Sequence, residues 1–141
     1  MNKKIETIIR EALEKADEFK IAGYVATVIA TNPHRDNKDA NIDIIINWLR
    51  GNELYKPTRN EKFFFCSTFS ISGVRVCDAC GEFFTEGFSI DNDNLYACSE
   101  ACAIKVYENE GYDELAFRQD LKACESNMQS GEVMNYNRIT L

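Results

Sequence analysis

The chain has one histidine, one tryptophan and two prolines among its 141 residues, and each scarcity closes a line of interpretation. His34 stands alone beside Pro33 and Arg35 in a polar stretch, so it reads as a solvated loop residue rather than a general base or metal ligand. Few prolines and only seven glycines, with 45% apolar and 28% charged residues, exclude wholesale disorder. No stretch approaches the roughly 20 apolar residues that cross a bilayer. The opening Met1-Asn2-Lys3-Lys4 runs into an amphipathic pattern without a signal-peptide core, so a cytoplasmic protein with no membrane association is expected. A glycine-rich phosphate loop, a nucleophile elbow and a His-Glu metal-catalytic pattern are all missing, and no enzymatic activity is expected.

An excess of positive charge is also lacking. The formal net charge is -7, with 23 acidic and 16 basic residues, which argues against gripping phosphate backbones. The acidity is localised. Between positions 77 and 110 stand Asp78, Glu82, Glu86, Asp91, Asp93, Glu100, Glu108 and Glu110 against the single base Lys105, so that segment alone carries -7 and the remainder is formally neutral.

Length favours one domain over 1–141, comprising a mainly helical part over 1–62, strands and a cysteine module over 63–125, and a tail over 126–141. The fold class expected is α+β. Residues 3–19 carry Ile5, Ile8, Ile9, Ala12, Leu13, Ala16 and Phe19 at helical spacing. Residues 20–31 fit helix or strand, with the balance toward helix, and should end by Asn32 because Pro33 follows. Asn41 can cap a helix running to Arg50, with Gly51 placed to stop it. The aromatic and β-branched text of residues 63–76 predicts two strands around Ser72-Gly73. After Cys98 a helix should run to about Asn109, break at Gly111 and resume from about Tyr112 to Glu125. The tail has little periodicity and is expected to be extended or partly ordered.

Four of the six cysteines form two tight pairs, Cys77-Asp78-Ala79-Cys80-Gly81 and Cys98-Ser99-Glu100-Ala101-Cys102. Such pairs in a reducing compartment read as metal ligands rather than disulfides. The C-x2-C pair can form a knuckle with both sulfurs aimed at one ion, and Gly81 permits the backbone turn that follows. In C-x3-C the two cysteines share a helix face, so both can project from a first turn, where free amides favour thiolate. Glu82-Phe83-Phe84-Thr85 and Phe88-Ser89-Ile90 flank Glu86-Gly87, and the polar turn at 91–94 precedes Leu95-Tyr96-Ala97, which together predict a β-hairpin between knuckle and helix. Cys77, Cys80, Cys98 and Cys102 are therefore expected to hold one structural Zn2+ ion. Four sulfur ligands leave no open position for an activated water. Cys66 and Cys124, in apolar surroundings, read as inert thiols, with a redox pair between them left open.

The string over 76–103, with C-x2-C-G, an aromatic-rich hairpin, Tyr96 just before the third ligand and C-S-x-x-C opening a helix, resembles the MYM/TRASH treble-clef zinc fingers. It is also similar to small zinc-finger proteins of phage and mobile elements. The resemblance covers about a fifth of the chain and implies a protein-interaction or metal-sensing role. Together with the acidity, it points to a non-enzymatic zinc protein with a protein partner, such as a phage or mobile-element inhibitor or regulator of a host protein. The alternative is a zinc-finger regulator that binds nucleic acid through Lys56, Arg59 and Lys62, a modest basic cluster offset by Glu53 and Glu61. The partner's identity and the oligomeric state are not encoded in any recognisable pattern.

Overall fold

A computed structural model describes residues 1–125 and 133–141. Among the described residues the fold is α+β, with six α-helices, one π-helical turn and two small antiparallel sheets. The chain divides into two compact units, Met1–Ile71 and Ser72–Leu141. The sequence-expected tail of 126–141 falls partly on residues 126–132, which lie outside the described residues.

The first unit is helical. Helix α1 (Lys3–Lys15) begins with the Asn2 side chain accepting the Ile5 amide, and its apolar spacing buries Ile5, Ile9 and Leu13. The expected helix over 3–19 is interrupted because Ala16 and Asp17 turn extended. The Asp17 carboxylate then caps α2 (Glu18–Tyr24) by accepting the amides of Phe19 and Lys20. Of residues 20–31, ambiguous in sequence, 20–29 are helical. Helix α2 continues into a π-helical turn over Val25–Ile29, which stops where Ala30 adopts a left-handed conformation at φ 58°. Helix α3 (Lys38–Arg50) starts earlier than expected, capped by Asn37 rather than Asn41, and ends at Gly51, whose φ of 74° suits glycine. Helices α1 and α3 run antiparallel, joined by Glu6–Arg50 and Arg10–Asp43 ion pairs at 2.5 and 2.8 Å over a layer containing Ile9, Leu13, Ile42, Ile45 and Ile46.

The two strands expected over 63–76 are corrected in their first half. Residues 63–68 belong to helix α4 (Arg59–Thr68). The Thr58 hydroxyl accepts the Glu61 amide while the Glu61 carboxylate accepts the Thr58 amide, and this capping box outweighs the strand preference of three consecutive phenylalanines. Phe65 and Phe69, four apart, then meet the buried ring of Tyr24 at centroid distances of 5.7 and 5.3 Å.

In the second unit β1 (Arg75–Val76) pairs with β2 (Phe83–Phe84). Glu86 and Gly87, expected between strands, instead open strand β3 (Glu86–Ile90), because they pair with Thr140 and Ile139; β3 forms a hairpin with β4 (Leu95–Ala97) and pairs on its other edge with β5 (Tyr136–Thr140), giving the order β4-β3-β5. Asp91, Asn92 and Asp93 all take left-handed backbone conformations in the hairpin turn, φ 57°, 54° and 66°. Helices α5 (Glu100–Asn109) and α6 (Glu114–Glu125) cover the sheet. Their core includes Ile90, Val106, Tyr107, Phe117, Leu121 and Tyr136, with Tyr136 stacked on Phe88 at 4.9 Å and edge-on to Phe117 at 5.5 Å.

Candidate metal centre

The four cysteines come from three local structures. Cys77 follows β1, and its own N–H donates to the Glu82 carbonyl at 2.9 Å, closing the loop that leads into β2. The chain turns tightly between, with the Gly81 amide returning to the Cys77 carbonyl at 3.0 Å and Gly81 at φ 77°. Cys98 follows β4 directly. Cys102 lies in the first turn of α5, whose cap Ser99 accepts the Cys102 amide at 3.2 Å. The expectation that both residues of the second pair sit on the helix therefore holds for Cys102 alone, because Ser99 ends the extended segment before the helix starts.

The knuckle and the second pair are tied together by a residue that sequence reasoning passed over. Asp78 donates its backbone N–H to the Tyr96 carbonyl at 2.8 Å and accepts the Tyr96 N–H on its carboxylate at 2.6 Å. A reciprocal pair of this kind fixes the strand carrying Cys98 against the loop carrying Cys77 and Cys80. An acid placed immediately after the first cysteine, inside the knuckle, was the available signal.

All four sulfurs lie within 4.8 Å of one another. Cys80 and Cys98 are separated by 3.6 Å and Cys98 and Cys102 by 3.7 Å, Sγ to Sγ. Those separations are far longer than the roughly 2.05 Å of a disulfide. They match the edge of a tetrahedron of about 3.8 Å that follows from a metal–sulfur bond of about 2.3 Å. The cluster can thus hold a metal ion. Cys77 is fully buried, Cys98 and Cys102 are half-buried, and Cys80 is exposed.

As free thiols Cys77, Cys80 and Cys98 are unequal. Burial opposes ionisation of Cys77, but the amides around it, those of Cys80, Cys98 and Ala79, outweigh burial and hold its thiol below the ordinary value. The Ala79 and Cys80 amides approach its sulfur at 3.4 and 3.5 Å. Burial is the leading cause that raises Cys80 and Cys98; at Cys98 the neighbouring sulfurs push the same way, whereas at Cys80 the Glu82 amide and the Cys98 sulfur pull down and Cys77 pushes up. Of these three, Cys77 is therefore the sulfur best prepared to be a thiolate before an ion arrives.

Of the remaining residues weighed from sequence, none joins this centre. His34 is exposed, and the buried Asn41 side chain holds its backbone by accepting its N–H at 2.7 Å and donating to its carbonyl at 2.9 Å. Asp91 and Asp93 belong to the hairpin turn. Cys124 packs half-buried against the core of the second unit, and Cys66 is half-buried in the first. A second unforeseen residue is Asp120, fully buried on α6. Its carboxylate accepts the Tyr107 hydroxyl at 2.5 Å and the amides of Val133 and Met134 at 3.0 and 2.9 Å, so it fastens the segment leading into β5. An acid between Phe117, Leu121 and Cys124 on one helix face was its trace in the sequence.

Comparison with known proteins gives no relative: no protein-family description, curated sequence or solved structure matches the chain.

Proposed function

We propose that the chain is a non-enzymatic zinc protein that works by binding another protein through its acidic second unit. The observation that carries this reading is the four-sulfur cluster, whose spacing suits one tetrahedral ion. All-sulfur tetrahedral sites favour zinc, and four protein ligands fill its coordination sphere, which makes the ion structural rather than catalytic. Knuckle, hairpin and ligand-bearing helix follow one another as in a treble clef. This order supports the resemblance of residues 76–103 to MYM/TRASH fingers and to the small zinc-finger proteins of phage and mobile elements. On this reading the metal shapes a rigid acidic surface, and that surface inhibits or regulates a host protein by engaging a basic face on it.

The test is metal analysis followed by capture. One zinc per chain is expected, lost in Cys77→Ser. Tagged protein should then retain a stoichiometric protein partner after nuclease treatment and lose it in Cys98→Ser/Cys102→Ser. Recovery of nucleic acid alone, abolished by nuclease, would transfer the function to Lys56, Arg59 and Lys62.

A further inference from the structure

Solvent reaches the four sulfurs of the metal centre unequally. Cys77 is fully buried, and its sulfur accepts the amides of Ala79 and Cys80 at 3.4 and 3.5 Å. Cys80 is exposed, and the half-buried Cys98 brings its Sγ to within 3.6 Å of the Cys80 Sγ. These two sulfurs are also kept together by the chain itself. Asp78 stands two residues before Cys80 and Tyr96 two residues before Cys98, and their reciprocal bonds at 2.8 and 2.6 Å hold the two segments side by side. Cys102, at 3.7 Å from Cys98, is tied instead within its own helix, its amide going to Ser99.

Cysteine oxidation follows thiolate character and exposure, and a second thiolate within reach converts the first product into a disulfide. A cysteine that ligates a metal does so as thiolate, so a filled centre presents Cys80 to solvent in its nucleophilic form.

We propose that Cys80 is a peroxide-reactive site and Cys98 its resolving thiolate, so that oxidation exchanges metal ligation for a Cys80–Cys98 disulfide. This rests on the zinc reading above and adds a regulation of that centre. The oxidant is a hydroperoxide, in its simplest form hydrogen peroxide. The Cys80 Sγ attacks one peroxide oxygen: an S–O bond forms, the O–O bond breaks, and the departing hydroxide takes a proton to become water. The Cys98 Sγ then attacks the Cys80 sulfenic acid: an S–S bond forms, the S–O bond breaks, and a second hydroxide leaves as water. The two sulfurs together lose two electrons, and the peroxide gains them.

The sulfurs must close from 3.6 Å to roughly 2.05 Å, and the bonds between Asp78 and Tyr96 hold their backbones in place as they do. With two of four ligands consumed, the centre releases its ion. The knuckle and β4 stay joined through the disulfide and Asp78, whereas Cys102 and the first turn of α5 lose their link to both. Oxidation therefore frees one helix end and keeps a cross-link that chelation would abolish.

The experiment treats the full, zinc-loaded chain with hydrogen peroxide beside a chromophoric zinc chelator. Products are mapped by mass spectrometry without reduction, with and without dimedone to trap sulfenic acid. The expected result is loss of one zinc per chain, a linked pair of peptides carrying Cys80 and Cys98, and dimedone on Cys80 before any other cysteine. Dithiothreitol with added zinc should restore the metal. Amide exchange should quicken at Cys102 and Ala103 while Asp78 and Tyr96 stay protected. No variant is needed, so misfolding of a cysteine mutant cannot imitate the result. A first disulfide within either cysteine pair, Cys77 with Cys80 or Cys98 with Cys102, would overturn the assignment, as would first labelling of Cys66 or Cys124. Zinc retained under peroxide that fully oxidises a free cysteine peptide would sink the switch and spare the zinc reading. A chain that takes up no zinc would sink both.

Discussion

Residues Met1–Ile71 and Ser72–Leu141 are nearly equal in length, yet they are held together by different means. The first unit carries eleven basic and ten acidic residues and closes an aliphatic layer between long amphipathic helices. The second is strongly acidic, its strands are two to five residues long, and it gathers four sulfurs at one end. Short strands bury too little on their own to offset the entropy of ordering them. Beside its own core, the second unit has a cysteine cluster that can hold a metal ion and polar fasteners at the half-buried Asp78 and the buried Asp120. Both halves thus have a hydrophobic core, and the acidic excess and the cysteine cluster belong to the second.

On the zinc reading proposed above, the largest way to break that comparison is to remove the ion. Coordination should contribute on the order of 10 kcal/mol to the second unit, since the unfolded chain does not preassemble the ligands. Chelation or Cys77→Ser should therefore release amide protection across 77–110 while that of α1 and α3 persists. Simultaneous loss in both units would show that they do not fold separately. The converse is Ile45→Ala in the aliphatic layer, expected to cost about 2–5 kcal/mol in denaturant unfolding with metal content unchanged. Smaller again is Asp120→Ala, which strands a buried hydroxyl and two amides and should cost about 3 kcal/mol or somewhat less. Its signature is faster amide exchange in β5, with the metal retained.

The smallest effect is a pH dependence confined to the first unit. The Arg50 side-chain hydrogen bond, reinforced by its charge, holds the Glu6 carboxyl below the usual range. A lowered folded value means that the stabilisation is complete above the ordinary carboxylate range and fades as pH falls through the lowered value. Glu6→Gln should flatten that acid limb of the stability profile by a small amount, consistent with a largely exposed pair.

The same contrast explains what could be read in advance. Helix α1 was legible because Ile5, Ile9 and Leu13 repeat with the helical period, and the ligand quartet because two cysteine pairs carry metal-site spacing. The break after Lys15 was not, since Asp17 as a cap competes with an apolar pattern that runs on to Phe19. Phe63, Phe64 and Phe65 misled because strand preference is weak against the capping box of Thr58 and Glu61 and a tyrosine that takes up one face. Strand β5 carried no local signal. Its place is fixed by Asp120 and by pairing with a strand far away in the sequence, and neither relation leaves a periodic trace.

That distant pairing also sets an order in time. Joining Ile90 to Tyr136 requires closing a loop that contains both α5 and α6, whereas the hairpin of β3 and β4 closes over four residues. Contacts between remote parts of a chain carry the larger loop-closure entropy and form late. When β5 opens, the edge it vacates is that of β3, which bears Phe88 and Ile90. The state most exposed to strand exchange and aggregation is therefore one that has kept its hairpin and its metal ligands and lost only its final strand.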